Sequence, residues 1–211
     1  MKLHIYQHCP FCNRARMIFG FKNQPVELSV IMEGDVETPT RMVGKKVVPI
    51  LEKDDGTYMP ESMDIVHYVD GLQGDRVAAE PADEAIVEWS KQASGAIYKL
   101  AIPRFTRADF AELATPEARA AYTQREIAAF GNLEELQAQS EAFIAETVEK
   151  LAEIEPYLQS FSKVSTTEFI LFPVLNSLSI VKDFPFSPAC LAYLQKVSAL
   201  SKVPLFIEKA L

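Results

Sequence analysis

Cys9-Pro10-Phe11-Cys12 joins the short apolar run Leu3-His4-Ile5-Tyr6 to the amphipathic segment Asn13 to Phe21, so a strand is expected to deliver two thiols to the first turn of a helix. Unpaired backbone N–H groups and the helix dipole at such a start favour the thiolate over the thiol. A cysteine titrating at about 8.5 in a free peptide falls by roughly one to several units there. Cys9, at the mouth of the helix, is the expected attacking sulfur. Cys12, one turn on and on the same face, can reach a disulfide formed on Cys9 and is the expected resolving thiol.

A Cys-x-x-Cys pair also serves metal sites, which normally draw on four ligands. The rest of the chain offers only Cys190, His4, His8 and His67, with no second Cys-x-x-Cys and no His-x-x-x-His. The redox reading is therefore favoured over a metal site or two inert thiols, and no metal is expected. Cys190, in a helix-like stretch, reads as a small buried hydrophobe. His8 has two readings: a cation that favours the neighbouring thiolate, or a residue exposed at a strand end. The second is the commoner.

The 211 residues suffice for one large or two small domains, each with its own core. Acidic residues outnumber basic ones, 29 to 21, for a net charge of −8, which argues against a nucleic-acid partner held through its phosphates. The best apolar run, Phe169 to Leu175, is broken by Pro173 and falls short of a membrane span, so no membrane partner is expected. The chain enters a strand without a secretory leader, and its expected compartment is the cytoplasm.

The N-terminal region reads as a small α/β unit. Val26 to Ile31 alternates as a strand should, and strand–helix–strand order implies a parallel pair with a right-handed crossover. Thr38 is the expected cap of a short helix with Pro39 at its first position and Gly44 as its stop. Val47 to Leu51 and Tyr58-Met59 are expected to pair antiparallel across the Asp55-Gly56 turn. Pro49 lies inside a strand-like run, either as a cis proline or as a trans proline at the strand entrance. Ser62 is a good N-cap for a helix marked by Ile65, Val66 and Val69. Glu61 and Ser62 could instead receive an amino-acid head group, the helix N–H groups holding its carboxylate and Glu61 its ammonium. On local grounds capping is favoured.

Cys9-Pro10-Phe11-Cys12, Val48-Pro49 and Glu61-Ser62 resemble, in order and spacing, the thioredoxin-fold domain of glutaredoxins and glutathione transferases. With Ala15 to Gly20, Thr38 to Gly44, Pro60 to Asp70 and the long helical continuation, the chain resembles the large bacterial glutaredoxins. The resemblance is dense over residues 1 to 72 and sparse beyond. It implies a thioredoxin-like N-terminal domain plus an all-α C-terminal domain in a glutathione-transferase-like arrangement. It also implies a dithiol mechanism using Cys9 and Cys12 with glutathione as co-substrate. Pro10 and Phe11 belong to the implied glutathione site, Val48 offers backbone bonds beside cis-Pro49, and Glu61 with Ser62 holds the γ-glutamyl end. Phe11 stands where a tyrosine is common, so no hydroxyl is supplied there. The implied partners are glutathione and disulfide-containing or glutathionylated proteins, and the implied state is a monomer.

After a linker at 73–82, residues 83–211 read as helical. Glu84 to Ile102 has Ile86, Trp89, Ala93, Ile97 and Leu100 on one face. Further helices are expected from Thr115-Pro116, over Asn132 to Leu158 as one long element, after a Ser165 to Glu168 capping box, from Ser187-Pro188, and at the C-terminus. Arg104, preceded by Pro103, could face the interdomain cleft and meet a glutathione carboxylate, but a solvated or structural arginine is the favoured reading. Two other functions fit less well: a glutathione transferase using the Tyr6 hydroxyl, and a non-enzymatic interaction scaffold, which would not need the thiol pair.

Overall fold

Strands β1 (Lys2–Ile5), β2 (Glu27–Val30), β3 (Ile50–Glu52) and β4 (Tyr58–Pro60) form one sheet in the order β2-β1-β3-β4 in a computed structural model that describes residues 1–211. β1 and β2 run parallel, with Leu3 opposite Leu28, as a strand–helix–strand crossover requires. β1 and β3 are antiparallel with Leu3 opposite Leu51, and β3 pairs with β4 through Leu51 opposite Met59. The hairpin between β3 and β4 turns at Gly56, whose φ of 80° is cheap only for glycine. Leu3, Ile5, Ile50 and Leu51 are buried in the sheet.

Helix α1 (Pro10–Phe21) crosses from β1 to β2, α2 (Glu37–Val43) leads to β3, and α3 (Ser62–Asp70) follows β4. Met17 and Ile18 of α1, with Ile65, Val66 and Val69 of α3, close the core of this unit. Two expected caps are displaced. α2 begins at Glu37, and the carboxylate of Asp35, not the hydroxyl of Thr38, accepts the Thr38 N–H at 2.9 Å. α3 begins with Ser62 inside the helix, and Glu61 occupies the cap position with no side-chain cap bond.

The remainder is helical, as expected: α4 (Glu84–Phe105), α5 (Pro116–Phe130), α6 (Leu133–Ala138), α7 (Ser140–Glu153), α8 (Glu155–Ser160), α9 (Glu168–Leu178) and α10 (Pro188–Ser201), with 3-10 turns at Ala111–Leu113 and Ile207–Lys209. α4 is capped by Asp83, packs against α6, α7 and α9, and buries Ile86, Trp89, Ala93, Ile97 and Leu100. It runs on through Pro103 to Phe105. The expected long helix over 132–158 is three helices, interrupted at Gln139 and Ile154; Pro156 falls in the first turn of α8, where proline is tolerated. The Ser165 to Glu168 box is half made: Glu168 reaches back to the Ser165 N–H, while the Ser165 hydroxyl accepts from Thr167. The C-terminal element is only a short 3-10 turn. No helix is long and apolar enough to cross a membrane.

α1 is shared between the two parts, since its other face packs on α9 and α10. Arg14 of α1 donates from Nε to the Phe169 carbonyl at 2.8 Å. The connection from α3 to α4 is pinned by Asp70, whose carboxylate accepts the N–H groups of Val77 and Ala78 at 3.0 Å each and faces Lys22 Nζ at 3.4 Å. Arg104 is structural: it donates to the carbonyls of Leu100 and Leu211 and to the Ser140 hydroxyl.

Candidate active site

β1 ends at Ile5 and α1 starts at Pro10, so the chain between them must turn the thiols onto the end of the sheet. Cys9 is the N-cap of α1, with extended backbone (φ −69°, ψ 124°). Its sulfur takes the place of the usual capping oxygen and accepts the Cys12 N–H at 3.4 Å. Pro10, in the first turn, has no N–H to compete for that sulfur. Both cysteines are free thiols.

The two sulfurs have unequal surroundings. Cys12 is fully buried, and its sulfur receives the Tyr6 N–H at 3.4 Å. Cys9 is only partly buried and lines a cavity of about 500 Å³. The Cys12 thiol, donating to the Cys9 sulfur, together with the Cys12 N–H and the nearby His8, lowers the Cys9 thiol to about 7 against the opposing effect of burial. Burial, and the charge that Cys9 then carries, push the Cys12 thiol well above its ordinary value. One turn of helix therefore holds one ready nucleophile and one thiol kept protonated in reserve.

The cavity lies between the sheet unit and the helices. Cys9, Phe11 and Val48 line one side, Tyr98, Ile102, Phe105 and Tyr122 the other. Phe11 is 54% exposed, a large apolar ring left open at its rim. The Val48–Pro49 peptide bond is cis, the first of the two forms considered for Pro49. Burial, and then the charge on Cys9, push the Tyr98 phenol up to about 12, so on the cavity wall it stays neutral. Arg125 and Lys46 supply positive charge on the wall, and Arg125 is paired with the buried carboxylate of Glu33 at 2.9 Å.

Glu61 and Ser62 lie apart from the cavity wall. Glu61 is exposed, with φ +70°, and its carboxylate meets Lys45 Nζ at 2.9 Å. Ser62 is buried, and its hydroxyl accepts from Arg14 at 3.4 Å rather than capping the helix. The favoured capping reading of this pair is thereby overturned, and the first N–H groups of α3 have no side-chain cap. Arg14, which also stacks its guanidinium over the Phe11 ring at 5.2 Å, links the thiol turn to Ser62. No group of three His, Cys, Asp or Glu side chains is gathered as for a metal ion.

His8 is buried, not exposed at a strand end. Its ring lies against Tyr122 at 4.6 Å between centroids, and Nδ1 is 2.7 Å from a carboxylate oxygen of Glu112. Glu112 and Tyr98 were invisible in the sequence as site residues, because folding alone brings them to His8 and to the cavity wall; Arg14, two residues after Cys12, carries no motif.

Comparison with known proteins gives concordant results. The family model of the C-terminal domain of glutaredoxin 2 matches residues 85–210, and that of the N-terminal domain of glutathione S-transferase matches residues 3–77. Glutaredoxin 2 of Escherichia coli strain K12 is 41% identical, with 100% of both chains covered. The crystal structure of glutaredoxin 2 from Salmonella typhimurium in complex with glutathione superposes with a TM-score of 0.95 at 39% identity, covering 100% of this chain and 98% of that one. A glutathione transferase from Phanerochaete chrysosporium shares the fold at a TM-score of 0.74 and 14% identity, covering 94% of this chain and 96% of that one.

Proposed function

The chain belongs to the glutaredoxin 2 family and is a glutathione-dependent oxidoreductase, and from that premise we propose that Cys9 is its attacking sulfur and Cys12 its resolving one. The observation that carries this reading is the inequality of the two thiols: Cys9 at the helix start, open to the cavity and lowered to about 7, and Cys12 buried behind it. The Cys9 thiolate attacks a glutathione mixed disulfide or a protein disulfide, forming a bond to one sulfur and releasing the other as a thiolate. Cys12 then attacks Cys9, frees the bound sulfur and closes the intramolecular disulfide; a glutathione held on Cys9 can also be taken off by a second glutathione, without Cys12. Two glutathione molecules restore the dithiol and leave as glutathione disulfide. Glutaredoxin-like pairs sit at about −200 to −230 mV, close to cytosolic glutathione, so the cycle runs in either direction.

Glutathione is assigned to the cavity mouth at Cys9, Pro10, Phe11 and Val48, reaching past cis-Pro49 to Glu61 and Ser62 outside the cavity wall. The uncapped N–H groups at the start of α3 support a carboxylate there, and Glu61, turned outward, suits an ammonium. Residues 1–72 carry the thiol chemistry, 73–82 connect, and 83–211 supply the far wall of the cleft. The partners are disulfide-containing or glutathionylated proteins, met by a monomer in the cytoplasm. Separate Cys9→Ser and Cys12→Ser variants test the assignment. Reduction of a glutathionylated peptide should vanish in the first and persist in the second; unchanged reduction without Cys9 would refute it.

A further inference from the structure

Glu112 lies fully buried in the 3-10 turn Ala111–Leu113, and two nitrogens of His8, 104 residues away, converge on one of its oxygens. The His8 main-chain N–H donates to Oε1 at 3.0 Å, and ring Nδ1 lies 2.7 Å from the same atom. The second oxygen, Oε2, is buried with no partner. An interior carboxylate costs several kcal/mol unless it is paired, so a fold that keeps one against a single histidine invites a chemical explanation.

A carboxylate oxygen can only accept, so Nδ1 carries a proton and donates it to Glu112. Nε2 is then the nitrogen left without a partner, on a ring that lines the same cavity as Cys9. Tyr6, Phe105, Phe110 and Tyr122 surround the ring with centroids 4.6 to 6.0 Å away, and they oppose the rotation that would exchange its nitrogens. The turn itself is tied down, because Ala111 donates to the Gln7 side chain and the Glu112 carbonyl accepts from Glu33, each at 3.0 Å.

We propose that Glu112 is a positioning residue for the exchange reaction: it fixes His8 with Nε2 toward the cavity, where that nitrogen carries the proton between the sulfurs that leave and enter at Cys9. The inference deepens the assignment of Cys9 as the attacking sulfur and rests on it. When the Cys9 thiolate attacks the glutathione sulfur of a mixed disulfide, the new S–S bond forms as the old one breaks. The electron pair goes to the departing sulfur, which takes its proton from Nε2–H. When a second glutathione enters, its thiol proton returns to Nε2 while its sulfur bonds to the bound glutathione sulfur, and Cys9 departs as a thiolate. Electrons pass only between sulfurs, and His8 ends the turnover as it began.

The charged and titratable groups facing this pair are Tyr6 and Cys9 beside the ring, Cys12 and Arg16 of α1, Tyr122 and Arg125 of α5, and Glu33 before α2. All of them remain in Glu112→Gln, which keeps an oxygen for the His8 N–H, removes the charge and puts an amide NH2 where Oε2 has no partner. The sign of the result separates the possible roles. A carboxylate acting on Cys9 directly through space disfavours its thiolate, so its removal would move the Cys9 titration to lower pH. A carboxylate acting through His8 keeps the proton on Nδ1 and Nε2 turned toward the cavity that Cys9 lines, so its removal weakens the hold on the thiolate and moves the titration to higher pH.

The experiment follows iodoacetamide alkylation of Cys9 against pH, and reduction of a glutathionylated cysteine peptide, in the full chain with and without Glu112→Gln. The expected result is a midpoint displaced upward by about one pH unit and a rate near pH 7 reduced about tenfold, recovering as the pH is raised. A folded variant with an unchanged or lowered midpoint would overturn the proposal. Nitrogen-15 NMR of the imidazole in the unaltered chain covers the case of a variant that does not fold: a proton on Nδ1 of His8 is expected, and an unprotonated Nδ1 overturns the proposal. An active Cys9→Ser chain would instead reject the thiol assignment itself, so the two failures are distinct.

Discussion

The N–H of Cys12 points at the sulfur of Cys9 across 3.4 Å, while the sulfur of Cys12 is itself turned inward to the N–H of Tyr6. Two cysteines three residues apart thus share a helical turn without sharing an environment. One is stabilised as an anion where substrate can approach, and the other is shielded until a disulfide on Cys9 brings it into play. The order of roles follows from this asymmetry, and so do the pH dependence and the outcome of trapping.

Alkylation of Cys9 should be half-maximal near pH 7, whereas Cys12 should stay unreactive until the pH is far higher. Peptide mapping after brief iodoacetamide treatment checks this; equal labelling of both thiols would remove the asymmetry. Folding lowers the Cys9 titration point from an unfolded value of about 8.5. The thiolate therefore contributes stability that is fully present above that unfolded value and is lost as the pH falls through about 7. The urea midpoint of the dithiol chain, measured against Cys9→Ser, should accordingly rise across this window, and a flat difference would contradict it.

Gly20 sets how closely α1 approaches α10. A Cβ at that position would lie 1.9 Å from the Ser201 carbonyl oxygen and 2.1 Å from its carbon, both backbone atoms that cannot swing aside. Gly20→Ala should therefore destabilise the chain by about 1–3 kcal/mol, the usual range for overpacking, even though alanine is the better helix former. Chemical denaturation measures this, and a neutral or stabilising result would show that the helices can part at little cost.

Ser62→Ala and Glu61→Gln bear on the proposed γ-glutamyl site. Each removes one polar contact to a charged head group, worth about 1.5–3 kcal/mol, so the KM for glutathione should rise about tenfold or more. kcat should change little, since neither residue touches the reacting sulfurs. Steady-state kinetics with varied glutathione separates the two constants; a fall in kcat at constant KM would place these residues elsewhere in the mechanism.

The parts that could be read from sequence alone were those governed by short spacing. The apolar run before Cys9, the Asp55-Gly56 turn, and Thr115 and Ser187 as caps ahead of prolines are local signals, and each element they announced is present. The 132–158 stretch was misjudged because its Ala, Glu, Leu and Gln content favours helix throughout, and nothing in that composition registers the interruption at Gln139. Pro156, tolerated in a first turn and disruptive in a helix interior, was a signal of the second break that the reading of one long helix passed over. Asp35 displaced Thr38, and Arg14 engaged the Ser62 hydroxyl, because other partners were nearer in the folded chain. The burial of His8 could not be anticipated at all, since its partner Glu112 lies 104 residues downstream in the helical region.

The assignment of Cys9 is tested most directly by trapping. The Cys12→Ser chain should be exposed to glutathione disulfide and its cysteine-containing peptides analysed by mass spectrometry, alongside Cys9→Ser treated in the same way. The predicted result is one glutathione on Cys9 in the first variant, with Cys190 unmodified, and no comparable adduct on Cys12 in the second. Rapid glutathionylation of Cys12 in the absence of Cys9, or none of Cys9 in the absence of Cys12, would contradict the account.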